Sequence, residues 1–186
     1  MKNLSFIVVL MLLFFSACST KSYQVDGAGN ADANMEDYNS YAFASQVDNK
    51  IDPGFFFLND LVLKSEIRDA VKHEMDSRGY KQATTSADLV VNFRVFDKAA
   101  TVQGLQGLGD GYWSSGEADR FNSTETINLK EGSVIIHLVD RKTGEMVWQG
   151  YASGLMDGNV FNKDKDKIAE AVSLMFDSYN HRADNL

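Results

Sequence analysis

Two strand-like segments joined by a tight turn constrain the fold of this 186-residue chain most strongly. The segment GSVIIHLVD is followed by RKTG and then directly by EMVWQGYAS. A short connection containing glycine is typical of a hairpin, and strands joined by a hairpin must be antiparallel. In the first segment Val134, Ile136 and Leu138 share one face, whereas His137 lies on the other. The chain is therefore predicted to contain an antiparallel sheet with an apolar face.

Two further segments predict amphipathic helices that can cover such a face. The first has an apolar residue at every fourth position, which is typical of a helix with one buried stripe. This stripe consists of Leu63, Ile67, Val71 and Met75. Gly79 is expected to end the helix. The second helix is predicted over about 164–178, with Asp164 as its N-terminal cap.

Other strand signals complete the predicted order of elements. They occur in SYAFAS (40–45), in ADLVVNFRVF (87–96) and in TETINLKEGSVIIHLVD, which is interpreted as one long strand bent at Glu131-Gly132. The order is strand, helix, strand, strand, strand, helix. The simplest fold class is α+β, a two-layer sandwich in which an antiparallel β-sheet carries both helices on one face.

The beginning of the chain has the pattern of an export signal. Lys2 precedes a short apolar run, and two small residues then lead to Cys18, the single cysteine of the chain. A positive residue, an apolar run of about 7–15 residues and small residues at the cleavage site indicate a secretory signal peptide. The run is shorter than the roughly 20 residues that a membrane-spanning helix needs.

The sequence FSAC resembles the lipobox of bacterial lipoproteins, with Phe15 in place of the usual Leu. The resemblance implies loss of residues 1–17 and a diacylglycerol in thioether linkage to the Cys18 sulfur. An ordinary signal peptide is the alternative. Disulfide-bonded secreted domains have an even number of cysteines, so a single cysteine favours lipidation. Ser19, where a retained lipoprotein of enteric bacteria has Asp, favours the outer membrane, with the domain facing the periplasm.

Composition and length restrict the remaining organisation. The formal net charge of −8 provides no basic face for nucleic acid. The length suits one domain. We expect a polar tether over 18–37, in which SYQV can form a short edge strand, one α+β domain over 38–180 and a polar tail over 181–186.

A set of motifs extends through this domain. It comprises YNSYAF, then IRDAVKHEMDSRGY followed by ADLVVNF, then GSVIIHLVDRKTGEMVWQGYA before the last helix. Together they resemble the bacterial lipoprotein family of domain of unknown function 4136, over roughly residues 22–180. The segment that corresponds to Trp148–Gly150 is usually Trp-Arg-Gly in such proteins, and here Gln149 replaces the Arg. The resemblance implies a lipid-anchored envelope domain and no particular activity.

The Gly-rich segment GLQGLGDGYWSSG (104–116) is the first candidate contact site. Aromatic side chains on loops are common at contact surfaces. Asp110, Tyr112 and Trp113 are therefore candidates for contact with a partner or ligand, and a plain connection is the alternative. Phosphate binding is disfavoured because a strand, and not a helix N-terminus, follows.

The apolar residues before the first helix are the second candidate. Phe55, Phe56 and Phe57 can fill the core and pack against the first turn of the helix. Alternatively they form an apolar mouth for a lipid-like ligand.

The sequence gives no support for a metal, a cofactor or a catalytic centre. The three histidines, His73, His137 and His181, are far apart and lack a Cys or His at ligand spacing. The segment NKDKDK (162–167) contains too many lysines for a calcium loop, and no G-x-S-x-G motif occurs. We therefore expect no catalytic residues.

Three functional hypotheses follow. The first is a lipid-anchored, non-catalytic envelope protein whose domain is an interaction or accessory module for another envelope component. The second is a small binding module for a hydrophobic or lipidic ligand. The third is a hydrolase, because His, Ser and acidic groups can meet in a fold without being adjacent in sequence.

Overall fold

The computed structural model describes residues 23–30, 33–44, 61–103, 126–157, 160–161 and 164–184. These residues form two α-helices, α1 (Leu61–Ser77) and α2 (Lys165–Phe176), and a 3-10 turn at Met35–Asp37. The strands are β1 (Gln24–Gly29), β2 (Ser40–Phe43), β3 (Lys81–Gln82), β4 (Leu89–Phe96), β5 (Ala100–Gln103), β6 (Thr126–Leu129), β7 (Ser133–Asp140), β8 (Met146–Ser153), β9 (Met156–Asp157) and β10 (Val160–Phe161).

The main sheet has the strand order β1-β8-β7-β4-β2-β3. Strands β1, β8, β7 and β4 are antiparallel to one another in turn, whereas β2 is parallel to both β4 and β3. The α+β class is thus confirmed, and the expectation of an entirely antiparallel sheet is corrected. The reason is that α1 lies between β2 and the following strands. A crossover helix returns the chain to the end at which β2 began, so that β3 and β4 run in the same direction as β2.

Both helices pack on one face of the main sheet, as predicted. The apolar stripe of α1 is fully buried and joins one core cluster with the apolar side chains of α2 and of the sheet. Gly79 follows α1 with a positive φ of 83°, which is the conformation expected at a helix C-terminus. The carboxylate of Asp164 caps α2, because it accepts hydrogen bonds from the backbone N–H groups of Asp166 at 2.9 Å and Lys167 at 3.4 Å.

The segment interpreted as one long bent strand forms two strands in different sheets. β6 pairs with β5 in a separate two-stranded sheet, whereas β7 lies inside the main sheet. Gly132, between them, has a φ of 68°. The chain therefore changes direction here and leaves the two-stranded sheet for the main sheet, and does not continue as one bent strand. The corner is held by a hydrogen bond from Ser133 Oγ to the Lys130 carbonyl at 2.6 Å and by one from the Lys130 N–H to Ser153 Oγ at 2.8 Å.

The main sheet has two ends that are important for the site. The hairpin end contains the β7–β8 turn. At the opposite end, called the β1 end here, β1 begins with Gln24 opposite Ser153 and β4 finishes with Phe96 opposite Ser133. Ser133 and Ser153 are joined by a hydrogen bond of 3.0 Å, so the start of β1 and the end of β4 lie at the same end of the sheet.

Helix α1 also begins at the β1 end. The Tyr41 hydroxyl donates to Asp76 Oδ1 at 2.9 Å, whereas the Arg68 guanidinium lies 5.2 Å from the centre of the Phe43 ring. The later residue of β2 contacts the earlier residue of α1, which shows that the helix runs antiparallel to β2. Leu61, the first residue of the helix, therefore points toward the β1 end.

Helix α2 runs in the direction of β1. Tyr23, next to the start of β1, lies beside Glu170 in the first half of α2. Burial and this carboxylate raise the pKa of Tyr23 to about 12. Farther along β1, a Cβ placed on Gly27 would lie 2.2 Å from Ser178 Oγ. The beginnings of α2, α1 and β1 are consequently all directed to one end of the domain.

Candidate functional site

Asp88 attaches β2 to the start of β4. Its Oδ2 accepts hydrogen bonds from the backbone N–H groups of Asn39 and Ser40, each at 3.0 Å, and from Ser40 Oγ at 2.6 Å. The Asp88 N–H donates in return to Ser40 Oγ at 3.1 Å. Hydrogen bonds to a carboxylate are stronger than those between neutral groups. The acidic residue of the ADLV motif therefore holds the parallel pair of strands together.

Asp140 has a similar role at the hairpin end. Its Oδ1 accepts from the backbone N–H groups of Lys142 at 2.6 Å and Thr143 at 2.9 Å, which closes the β7–β8 turn. Its Oδ2 accepts from the Tyr38 hydroxyl at 2.8 Å. Burial, followed by this hydrogen bond, raises the pKa of Tyr38 above its ordinary value. One carboxylate thus connects the turn to the segment before β2.

Trp148 and Gly150 form a single packing unit on β8. The Trp148 ring lies 4.9 Å from the Phe176 ring and 5.5 Å from the Tyr179 ring, measured between centroids. A Cβ on Gly150 would come within 2.4 Å of the indole Cη2. Glycine two residues after the tryptophan is required because the indole lies across the space that a side chain would fill. Within the described part of the chain the indole N–H has no acceptor, so Trp148 stabilises the fold by packing.

The motif that ends α1 contributes to the same cluster. The Tyr80 and Tyr179 hydroxyls are 2.7 Å apart, and burial is the main cause that raises the pKa of each. Arg78 donates to the Phe176 carbonyl at 2.9 Å, lies 5.2 Å from the centre of that ring and pairs with Glu74. These contacts fix the C-terminal ends of the two helices to each other.

The second face of the main sheet carries a buried polar row across three strands. Asn92 of β4 lies opposite His137 of β7, and His137 lies opposite Gln149 of β8. Their exposed fractions are 2%, 6% and 5%, respectively. Next to the polar row is an apolar patch. In it, side chains of β5 and β6 pack against side chains of the main sheet. This patch consists of Ile127, Leu129, Ile135, Phe96, Val102 and Tyr151.

The electrostatics of the row keep His137 neutral. Burial, and after it the positive charge of Arg94, lowers the pKa of His137 to about 3, although a hydrogen bond with Gln149 opposes the shift. A neutral imidazole donates at one nitrogen and accepts at the other, so His137 can link polar neighbours on both sides. A general base works best with a pKa near the operating pH, and His137 does not meet this condition.

The other two histidines lie on the opposite side of the sheet. His73 is exposed on α1, and His181 follows α2 with its ring 5.6 Å from the Tyr179 ring. The structure therefore does not bring the three histidines together. Across the described ranges, no group of three or more His, Cys, Asp or Glu side chains is arranged to hold a metal ion.

The β1 end differs from these packed regions by exposing apolar side chains. Leu61 is 76% exposed and Val62 is 59% exposed, at the first turn of α1. Neither of the described helices is long and apolar enough to cross a membrane.

The comparison with family models identifies the family. A model with the description Domain of unknown function (DUF4136) matches residues 25–179. The chain belongs to this family. The match confirms the resemblance inferred from the motifs. No relative was found among curated proteins.

The solved structures that share the fold of this DUF4136 domain include the following two. A DUF4136 family protein from Bacteroides thetaiotaomicron is 19% identical, with a TM-score of 0.57, and the alignment covers 86% of this chain and 97% of that one. A PDZ domain protein from Parabacteroides distasonis is 14% identical, with a TM-score of 0.50, and the alignment covers 85% of this chain and 36% of that one. At these identities the likeness shows the fold alone.

The DUF4136 motifs are explained largely by the fold. Asp88, Asp140, Trp148 and Gly150 each make contacts that hold elements of the domain together. The motifs therefore mark how the domain is built.

Sequence reasoning found one member of the polar row and missed two. His137 was placed on the face opposite Val134, and the register confirms this. The sequence alone does not distinguish Asn92 and Gln149 from other polar residues of the strands. The alternation of β4 and β8 gives their faces, but only the register between strands shows that they flank His137.

The remaining sequence candidates lie outside the described residues and stay predictions. They are the lipidation site Cys18, the contact loop with Asp110, Tyr112 and Trp113, and the apolar mouth with Phe55, Phe56 and Phe57.

Proposed function

We propose that this DUF4136 protein is a lipid-anchored bacterial envelope protein, held by a diacylglycerol on the Cys18 sulfur. The observation that carries the proposal is the position of Cys18, which follows a short apolar run and two small residues and lies seven residues before the family match begins. Two acyl chains hold a protein stably at a membrane, since each buried methylene contributes about 0.8 kcal/mol. The anchor then needs no spanning helix.

We further propose that the domain is a non-catalytic interaction or accessory module that faces the periplasm from the outer membrane. The contacts of its motif residues lie within the domain, so a contact with another protein would be made by other residues at its surface. The loop with Asp110, Tyr112 and Trp113 is our candidate for contact with another envelope protein, because aromatic loop residues are frequent at such contacts.

Replacement of Cys18 tests the anchor. Cys18→Ala is expected to leave an uncleaved precursor that incorporates no labelled fatty acid, whereas Thr20→Ala, a control two residues away, is expected to be lipidated and cleaved normally. Cleavage and release of the Cys18→Ala chain in soluble form would contradict the lipoprotein proposal. Density-gradient separation of the two bacterial membranes tests the location, which is wrong if the protein sediments with the inner membrane.

Crosslinking in intact cells tests the interaction module. We expect a specific envelope protein to be recovered by mass spectrometry with the normal chain and with Lys142→Ala, a control in the β7–β8 turn. Recovery should fall when Tyr112 and Trp113 are both replaced by Ala. Recovery of no partner above background from the normal chain would count against the module. Native mass spectrometry of the domain without Cys18 examines the alternative, because a co-purified lipid would favour a ligand-binding module.

A further inference from the structure

The chain between the proposed anchor and the folded domain is short. Gln24, the first residue of β1, lies six positions after Cys18. A fully extended chain spans about 3.3–3.6 Å per residue, so these Cα atoms are at most about 22 Å apart. β1 is then paired with β8 along its whole length. A diacylglycerol on Cys18 would therefore keep the β1 end of the domain close to the lipid surface.

Exposed apolar side chains lie at this same end. The antiparallel course of α1 along β2, set by the contacts of Asp76 with Tyr41 and of Arg68 with Phe43, directs Leu61 and Val62 to the β1 end. These are the two large apolar residues with high exposure in the described part of the chain. Apolar side chains on the first turn of a helix can enter the boundary between headgroups and acyl chains.

We propose that the first turn of α1, through Leu61 and Val62, rests in the surface of the membrane that holds the acyl chains of Cys18. This inference depends on the proposed lipid anchor and adds an orientation to it. The hairpin end, with the β7–β8 turn, then points away from the membrane. The occupant of the exposed apolar turn is the phospholipid surface itself.

The charges at this end are consistent with an apolar rather than an electrostatic contact. The exposed lysines Lys98, Lys130 and Lys165 are interspersed with acidic residues, among them Glu131 and Asp166. With charges of both signs at this end, an electrostatic contact between the domain and the membrane would be weak, and salt would screen it. Contact through Leu61 and Val62 should persist when the salt concentration is raised.

Fluorescence quenching by lipids tests the orientation. Because the Cys18 sulfur is occupied in the lipidated chain, a cysteine introduced by Val62→Cys supplies a free thiol for an environment-sensitive dye. The lipidated protein is reconstituted into phosphatidylethanolamine–phosphatidylglycerol vesicles that contain nitroxide-labelled lipid. We expect quenching at position 62 to exceed that in the control Lys142→Cys by at least about threefold. This difference should be unchanged in high salt.

A second label separates apolar contact from mere proximity. The dye is placed at the exposed Ser65 by Ser65→Cys, with Leu61 and Val62 either intact or both replaced by Ser. Quenching should fall at least about twofold in the doubly substituted chain. Unchanged quenching, or equal quenching at positions 62 and 142, would overturn the proposal.

Flotation of the same vesicles distinguishes failure of this inference from failure of the anchor. If the lipidated chain floats with the vesicles and position 62 is not quenched, the orientation is wrong and the anchor stands. If the chain does not float, the anchor itself fails, and the orientation fails with it.

Discussion

At the hairpin end, carboxylates and buried aromatic side chains connect several elements of the domain, whereas at the β1 end two apolar residues of α1 are exposed to solvent. Asp88 and Asp140 each accept several hydrogen bonds at the hairpin end, and buried aromatic rings pack beside them. Leu61 and Val62 have no comparable burial. The difference teaches that several residues of the family motifs stabilise the hairpin end, whereas the β1 end exposes the apolar residues on which the proposed membrane contact depends.

Removal of Trp148 should have the largest effect on the packed region. Trp148→Ala is expected to lower the free energy of unfolding by about 3–5 kcal/mol, because it deletes a buried ring and leaves a cavity. Urea denaturation of the domain without Cys18 measures this loss. Trp148→Phe, which keeps a ring, should cost clearly less. Equal losses for the two variants would show that the packing of the ring is not the cause.

Loss of the Asp88 carboxylate should be the next largest effect. Asp88→Ala removes three hydrogen bonds to one carboxylate oxygen, for which we expect a loss of about 2–3 kcal/mol. Asp69→Ala, at an exposed site on α1, is the control and should change stability by less than about 0.5 kcal/mol. If both substitutions cost the same, the hairpin end is not held as we describe.

The polar row between the two ends should make the domain sensitive to acid. The pKa of His137 is about 3 in the folded state against 6.5 for a free histidine. Between these two values the imidazole of His137 is protonated in the unfolded chain but neutral in the folded chain. Stability should therefore fall by about 1.4 kcal/mol per pH unit from this group, or roughly 2 kcal/mol at pH 5. Above pH 6.5 the group contributes no pH dependence.

Denaturation curves at pH 7 and pH 5 check the contribution of His137. His137→Gln should reduce the loss between these two values, whereas His73→Gln, at an exposed site, should leave it unchanged. An identical loss in the normal chain and in His137→Gln would show that burial of this imidazole does not control the acid response.

The hydrogen bond between Tyr38 and Asp140 should contribute a smaller amount. Tyr38→Phe is expected to cost about 1 kcal/mol, because one partly buried hydrogen bond is lost while the ring remains. A double-mutant cycle with Asp140→Asn measures the coupling of the pair. Additive losses would mean that the contact at 2.8 Å does not stabilise the hairpin end.

Substitution at the β1 end should have the smallest effect on stability. Leu61→Ser replaces an exposed side chain and is expected to change the free energy of unfolding by less than about 0.5 kcal/mol. A loss as large as that of Trp148→Ala would remove the contrast between the two ends. The same denaturation assay serves for both.

Elements with a local pattern could be predicted from the sequence. The stripe of Leu63, Ile67, Val71 and Met75 identified α1, and the cap Asp164 identified the start of α2, because both depend on neighbours within one or two turns. The RKTG turn predicted the β7–β8 hairpin for the same reason. The candidate site was only partly predictable, since His137 could be placed on a face but its neighbours Asn92 and Gln149 could not.

Predictions that depended on pairing between distant segments were the ones that required correction. The direction of β2 was wrong because strand direction is set by the path of the connecting helix. The segment around Gly132 was interpreted as one bent strand because alternation continues on both sides of it, whereas β6 and β7 pair with different partners.

The sequence by itself determined the helices, the hairpin, the family and the expectation of a lipid anchor at Cys18, because each depends on residues that are close in the chain. Only the tertiary structure decided that β2 is parallel to β4, that Asn92, His137 and Gln149 form one buried row, and that Leu61 lies at the end where β1 begins. These arrangements depend on register and on helix direction. Both are selected by burial of the whole core, and no single segment encodes them.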